Sequence, residues 1–560
     1  MVDITAAISI APRQCPQDGA VLEDGVTEID REDPAAKLLL WVDRNRRWLL
    51  TAMLAVYLLS FNGRWRIEPD SALYLTIARN LAQGQGYSYH GQLNRLAYPG
   101  LPVLLAGTFW IFGIGAMWPA HVLMLLFGAA VVWLTFRLIH IHAGRPTAVL
   151  VTCLVGFSYS CVRYSLELRN DMPFLTGAMA ALCGFEGIFC RSRLEPRHEF
   201  ETAKAKRRLK VDWLLLTGGL ILAAAMRPTA LAFLPIVMGG IVLRLRNSRP
   251  RSLVLTVLGC AGLLLLVFAL DPRRAGGSLV LDSYEQDLYV RMTNHLGELL
   301  RTVATRNLPQ IVRSAPAAMF GHELGPGLNV LATIALLGSG LYLARRRGIW
   351  GAWVLATVAM MLVSLPRDRY FLAVLPLLAY GWWLLCTAVS RRLPRPQRQW
   401  ALAGLLLLWT GPNLGKIVGL IIEQRRSPFL AHYHQGHYLP IVQAAKELEK
   451  QVGPNDVVLC PAGMGRILSY LSDRRVMEVW QWQAEQDAGT SLPAFVLEPA
   501  EKEGDELPEF LRSHSLRLAT RLLEVPRALQ DRSRIPWTLY ALEDLAKNRN
   551  RVNGLSAGEP

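Results

Sequence analysis

The sequence predicts an α-helical polytopic membrane protein with a small α/β domain at its C-terminal end. Three observations predict it. The 560 residues are 52% hydrophobic and only 19% charged, with a mean hydropathy of +0.24. Soluble domains carry ~25% charged residues, and a single soluble core rarely grows to this length. The apolar residues gather in runs close to the ~20 residues of a spanning helix. The net charge of +16 lies between those runs, in short basic bursts, while both ends of the chain are mildly acidic. Global disorder is excluded by the apolar content. Nucleic-acid binding is excluded because it needs the basic charge gathered on one solvated face.

The acidic stretch 1–46 lacks the apolar core of a cleaved signal peptide and reads as a disordered cytoplasmic tail. Residues 47–422 form the membrane domain. Its apolar runs lie at 48–62, 119–139, 147–163, 172–190, 212–226, 229–243, 252–270, 328–344, 349–365, 370–389 and 400–421, which makes about 11 spans. The stretch 101–118 is also apolar, but Pro102, Gly107, Gly113, Gly115, Trp110 and Trp118 give it the composition of an interfacial helix. Orientation supports that reading. Arg44, Arg46 and Arg47 precede the first span. If 101–118 does not cross, the bursts at 191–210, 244–251, 345–347 and 391–399 all face the cytoplasm, as the positive-inside rule requires. The N-terminus is then cytoplasmic. The first loop (63–118), the middle loop (271–327) and the region 423–560 are extracytoplasmic.

Against that inward bias of positive charge, the outward face collects acids and a few arginines. The first loop opens with Glu68-Pro69-Asp70-Ser71, a good helix start, and Tyr74, Ile77, Ala78 and Leu81 then share one helical face. Asp70 is either the cap of that helix or a carboxylate fixed at the membrane surface. The next outward turn, Arg163 to Pro173, sets Glu167 and Asp171 among Arg163 and Arg169, as an ion-paired helix boundary or as part of a site. Arg227, in Arg227-Pro228-Thr229, and Arg369-Tyr370 occupy two further outward turns. There an anionic partner such as a lipid phosphate would account for arginine, as would snorkelling to head groups. Gly321-His322-Glu323 closes the middle loop, either reaching the site from above or turning into the next helix.

Beyond the last span, 439–451 has helical periodicity and Val457–Cys460 reads as a buried strand. A helix around Ile467–Leu471 and strands at Val476–Trp480, Ala494–Leu497 and Trp537–Ala541 follow. The alternation predicts an α/β domain over 423–560. Gly463-Met464-Gly465 follows a strand, but Leu468 stands where a dinucleotide fingerprint needs its third glycine.

Together, Glu68-Pro69-Asp70 with Tyr74, Tyr98-Pro99-Gly100-Leu101-Pro102, Glu167 with Asp171, Arg227-Pro228-Thr229 and Arg369-Tyr370 resemble the pattern of GT-C fold membrane glycosyltransferases. The nearest likeness is to the group of protein O-mannosyltransferases and the bacterial lipid A aminoarabinose transferase (glycosyltransferase family 39-like), over residues 48–440. The chain departs from many such relatives in having Tyr98-Pro99-Gly100 where they read His-Pro-Pro. The resemblance implies a bacterial inner-membrane enzyme. It would move a sugar from a polyprenyl-phosphate-linked donor to an acceptor (lipid, glycan or protein) on the extracytoplasmic face, with inversion. It implies Asp70 as catalytic base and Asp171 or Glu167 as a second catalytic carboxylate that orients the acceptor or a metal. Glu68, Tyr74 and Tyr370 would line the substrate site, Arg227 and Arg369 would clamp phosphate, and His322 would approach from above. A two-carboxylate site of this kind accepts Mg²⁺ or Mn²⁺, and the sequence leaves metal dependence open. The alternative is a lipid-linked-sugar transporter or flippase without transferase activity. Such proteins place ionisable residues at mid-membrane, whereas here only Glu186 and Lys416 stand out within the spans.

Overall fold

The computed structural model describes residues 33–94, 97–194, 203–245, 262, 295–346, 348–364, 366–426, 435–454, 456–460, 464–478, 495–499, 516–525 and 537–544. Among them, six helices are long and apolar enough to cross a membrane: Met117–Gly156, Asp171–Phe189, Arg207–Met226, Pro326–Arg345, Asp368–Arg391 and Pro396–Arg425. Shorter apolar helices run over Gly100–Phe112, Ala232–Leu243 and Gly348–Val363. The expected span 252–270 lies outside the described residues. The protein is an α-helical polytopic membrane protein whose long helices share one apolar core.

Two expectations are corrected. The tail does not stay irregular up to residue 46. Pro34–Arg44 is a helix, capped by the Asp33 side chain on Ala35 N with Pro34 in its first turn. It buries Ala35 and Val42, and Asp43 takes two hydrogen bonds from Arg145, at 2.9 and 2.8 Å. Packing against the membrane domain thus overrides the acidic composition of the tail. The runs 119–139 and 147–163 are two helical segments within Met117–Gly156, separated by a kink where Gly144 adopts φ 75°, a conformation that favours glycine. The second run stops at Gly156, seven residues short of its expected end. Ser158 turns the chain and accepts a hydrogen bond from Cys161 N to start a separate short helix, Tyr159–Tyr164. The end of the middle loop is helical, over Leu296–Thr302 and Leu308–Phe320, with a π-turn at Val303–Asn307 between them.

The stretch expected to form an interfacial helix is helical over Gly100–Phe112, with Trp110 and Phe112 exposed. A short antiparallel hairpin, β1 (Ser88–Tyr89) with β2 (Gln92–Leu93), precedes it.

The C-terminal region builds a five-stranded mixed sheet from β3 (Val457–Cys460), β4 (Arg475–Glu478), β5 (Phe495–Pro499), β6 (Leu516–Val525) and β7 (Trp537–Asp544), in the order β4-β3-β5-β7-β6. β3 is parallel to both neighbours, and β7 is antiparallel to both of its own. Helix Gly465–Ser472 connects the parallel strands β3 and β4 and packs on the first-loop helix Pro69–Ala82. That docking brings the α/β domain to the carboxylates of the first loop.

Candidate active site

Pro69 occupies the first turn of Pro69–Ala82, and its helix start is pinned from both sides. Ser71 Oγ donates to Glu68 O at 2.8 Å and accepts from Trp65 Nε1 at 2.9 Å. The cap position falls on Glu68, so the Asp70 carboxylate is released from capping. Asp70 Oδ2 instead accepts a hydrogen bond from Arg369 Nη1 at 2.7 Å, and Arg466 Nη1 lies 3.4 Å from Oδ1.

Asp171 begins the helix Asp171–Leu194, and Arg227 follows the end of the helix Ala203–Met226. These two helices pack backbone to backbone. A Cβ on Gly177 would stand 2.7 Å from Ala223 N, and one on Gly219 would stand 2.5 Å from Ala181 N. The close approach sets Asp171 and Arg227 side by side, with Nη2 2.8 Å from Oδ1. Asn170 stitches the junction, accepting from Arg227 Nε at 3.1 Å and donating to Met226 O at 2.8 Å. Tyr370 lies between two guanidiniums, with Arg227 5.1 Å and Arg369 5.3 Å from its ring centroid, both within cation–π range. A continuous chain of contacts therefore runs from Asp70 through Arg369, Tyr370 and Arg227 to Asp171. Buried Tyr74 sits within electrostatic reach of all four charged members.

A second cluster adjoins the first. Glu167 is held by Arg163 Nε at 2.7 Å, with Arg66 and Arg169 each at 3.4 Å, and Arg169 also pairs with Glu68 at 2.7 Å. The network holds six guanidiniums (Arg66, Arg163, Arg169, Arg227, Arg369, Arg466) against four carboxylates (Glu68, Asp70, Glu167, Asp171).

Burial pushes the Asp70 pKa up, but Arg369, Arg169 and Arg466 outweigh it and hold the carboxyl at about 2. Burial likewise acts on Glu167, and its three arginines bring it down to about 2. Glu68 moves the other way: burial wins over its pairing with Arg169 and raises it. Exposure then separates the acids by role. The side chains of Asp70 and Glu68 are 30% and 20% exposed, whereas those of Asp171 and Glu167 are 1% and 2%. Only the first two can be touched by a substrate without rearrangement. A divalent cation fits this arrangement poorly, because each carboxylate already faces at least one guanidinium. Among the described residues, no cluster of three or more His, Cys, Asp or Glu is placed to hold a metal ion.

No family model matches the chain, and no curated protein matches it. Solved structures do. ArnT from Cupriavidus metallidurans, in the apo state, superposes with a TM-score of 0.53 at 13% identity, covering 88% of this chain and 97% of that one. The same protein bound to undecaprenyl phosphate gives 0.53 at 12% identity over the same shares. The oligosaccharyltransferase of Archaeoglobus fulgidus, in the apo form, gives 0.51 at 14% identity, covering 82% of this chain and 70% of that one. ArnT and this oligosaccharyltransferase are both GT-C fold members. The chain has the GT-C fold.

Within this GT-C fold, eight of the residues singled out in the sequence converge: Glu68, Asp70, Tyr74, Glu167, Asp171, Arg227, Arg369 and Tyr370. His322 does not join them through any of these contacts. It is exposed in the turn after Gly321, whose φ of 72° ends the helix Leu308–Phe320. The helix-entry turn is thus its observed setting. The Tyr98-Pro99-Gly100 segment serves packing: a Cβ on Gly100 would lie 2.7 Å from Ala225 O, so the helix Gly100–Phe112 seats directly against the end of Ala203–Met226. Sequence reasoning missed Arg66 and Arg466. Arg66 had a signal, a basic residue two positions before Glu68 on an otherwise acid-collecting face. Arg466 had none locally, because its partner is 396 residues away.

Proposed function

We propose that the protein is an integral-membrane glycosyltransferase that moves a sugar from a polyprenyl-phosphate-linked donor to an acceptor on the extracytoplasmic face, with inversion. One observation carries the reading. In a GT-C fold, the most exposed carboxylate of a buried ion-pair network, Asp70, sits in the grip of arginines that outnumber the acids. ArnT, which shares the fold, has been solved with undecaprenyl phosphate bound, and the Archaeoglobus oligosaccharyltransferase with a dolichol-phosphate.

The residue types suit the chemistry. The acceptor oxygen attacks the anomeric carbon, the bond from that carbon to the phosphate oxygen breaks, and the phosphate leaves with the electron pair. Arg369 and Arg227 stabilise the charge that develops on the leaving phosphate. Asp70 accepts a hydrogen bond from the acceptor hydroxyl. With its pKa near 2 it takes the proton late, once the new bond has made that proton acidic. Glu68, with its raised pKa, is the neighbouring group best suited to retain the proton. Asp171 and Glu167, being buried, hold Arg227 and the Arg66–Arg163–Arg169 group in place.

The test is turnover of a panel of undecaprenyl-phosphate sugars by the purified protein, with Asp70→Asn as control. Consumption of one donor, lost in Asp70→Asn at normal membrane insertion, is the expected result. Movement of a lipid-linked sugar across the bilayer without cleavage of its phosphate bond would establish a flippase instead.

A further inference from the structure

Asp70 is held from two parts of the chain that meet only in the folded protein. Arg369 comes from the turn that leads into Leu375–Arg391, and Arg466 from the first turn of Gly465–Ser472 in the α/β domain. The two grips differ: 2.7 Å for Arg369 on Oδ2 and 3.4 Å for Arg466 on Oδ1. Docking of the α/β domain does not depend on the looser one. Tyr470 meets Trp65 edge-on at 5.0 Å, Arg79 Nη2 lies 2.6 Å from Asp473 Oδ1, and Arg79 also stands 5.6 Å from the Tyr470 ring centroid. These contacts seat helix Gly465–Ser472 on Pro69–Ala82 and deliver the Arg466 guanidinium, 15% exposed, to the partly open side of Asp70. A guanidinium carries five N–H donors in a planar fork, so one edge can keep a carboxylate while another takes a phosphate oxygen.

We infer that Arg466 is a positioning residue through which the α/β domain completes the site, sharing its guanidinium between Oδ1 of Asp70 and the phosphate of the polyprenyl donor. The inference rests on the glycosyltransferase reading above. It gives the C-terminal domain a direct part in donor recognition: as the phosphate draws Arg466 toward itself, Oδ1 becomes available to the acceptor.

The full chain in phosphatidylcholine nanodiscs is titrated with undecaprenyl phosphate. A parallel titration with inorganic phosphate distinguishes the lipid-borne group from the free anion. Arg466→Gln should weaken undecaprenyl phosphate binding about tenfold, as expected for losing a hydrogen bond between charged groups, and Arg466→Lys should recover most of it. Asp473→Asn loosens the same interface without touching Asp70 and should leave affinity within twofold. Equal losses in Asp473→Asn and Arg466→Gln would reduce Arg466 to a docking residue and overturn the inference. So would an Arg466→Gln variant that binds as tightly as the parent while Arg369→Gln does not. Failure of the parent protein itself to bind undecaprenyl phosphate would instead bring down the donor assignment, and this inference with it.

Discussion

Arg369 Nη1 lies 2.7 Å from Asp70 Oδ2, joining residues 299 positions apart in the first turns of two different helices. Neither partner is free to act alone. Replacing Arg369 by Gln should lower transfer about a hundredfold, the scale of losing one donor aimed at developing charge. It should do so with a higher requirement for lipid donor. Steady-state kinetics over donor concentration checks this, and an unchanged donor dependence would remove Arg369 from phosphate binding.

The same pairing sets the pH behaviour. Asp70 is held at about 2 by its arginines, so it is ionised at neutral and mildly acidic pH. Removing Arg369 takes away the strongest of the lowering charges, and the Asp70 pKa must rise. In Arg369→Gln the acid limb of kcat/KM assigned to Asp70 should therefore move to higher pH. Glu68 is already raised above its ordinary value of 4.5 and supplies a separate limb, which Glu68→Gln should flatten. A pH–rate profile that is superimposable for all three proteins would contradict this assignment.

Glu167 gives a stability prediction with a definite sign. Its folded value, about 2, is below its ordinary 4.5, so ionised Glu167 stabilises the fold above pH ~4.5, and that contribution is lost as pH falls toward ~2. Glu167→Gln leaves Arg66, Arg163 and Arg169 crowded without their shared anion. The variant should unfold at a lower temperature near neutral pH, and the gap to the parent should narrow on acidification through that window. Thermal unfolding between pH 3 and pH 7 measures both.

The Tyr370 ring stands within cation–π range of both Arg227 and Arg369. Tyr370→Phe keeps the cation–π contacts and should retain most transfer. Tyr370→Leu removes them and leaves two guanidiniums adjacent across an aliphatic side chain. A loss of about 0.5–2 kcal/mol in transition-state stabilisation follows from the usual size of such contacts, so kcat/KM should drop by about twofold to thirtyfold. Equal activity in the two variants would show that Tyr370 only fills space.

The long helices and the α/β alternation were legible because apolar periodicity is a local signal. The breaks were less so. Gly144 is one glycine among many until its φ of 75° is known, and Ser158 ends a hydrophobic run that continues in composition past the turn. Asp70, Asp171, Arg227 and Arg369 could be picked out because each is a charged residue in a loop or turn between apolar runs, away from the basic bursts. Their pairing could not, since it depends on the Gly177–Gly219 crossing and on docking of the α/β domain. The strand β6 was missed altogether: its pairing with β7 shifts register between Leu518 and Thr520 and again between Arg521 and Leu523, which disrupts the alternation a strand should show.

The Gly177–Gly219 crossing is itself testable. Small residues let two membrane helices approach until their backbones touch. Here the approach fixes the distance between Asp171 at the start of one helix and Arg227 after the end of the other. Gly177→Val should force the helices apart and cost transfer activity as well as stability. Gly218 offers the control, since a Cβ there meets nothing within 4 Å, and Gly218→Ala should be neutral in both.

Glu186 is a buried acid far from this chemistry. It lies fifteen positions beyond Asp171 on the same helix, roughly 22 Å along it at 1.5 Å per residue. Its carboxylate accepts a hydrogen bond from Trp350 Nε1 at 2.9 Å, and the other oxygen is 3.3 Å from His142 Nε2. These contacts tie three helices together at the end of the bundle opposite Asp171. Glu186→Gln preserves an acceptor for Trp350 and should cost little. Glu186→Ala leaves the buried indole N–H without that acceptor and should destabilise the protein by about 1–3 kcal/mol, the usual penalty for an orphaned buried donor. Donor turnover by the folded fraction should be the same in both variants. A specific loss of turnover in Glu186→Gln, at unchanged melting temperature, would instead place this buried acid in the functional cycle, as a transporter would require.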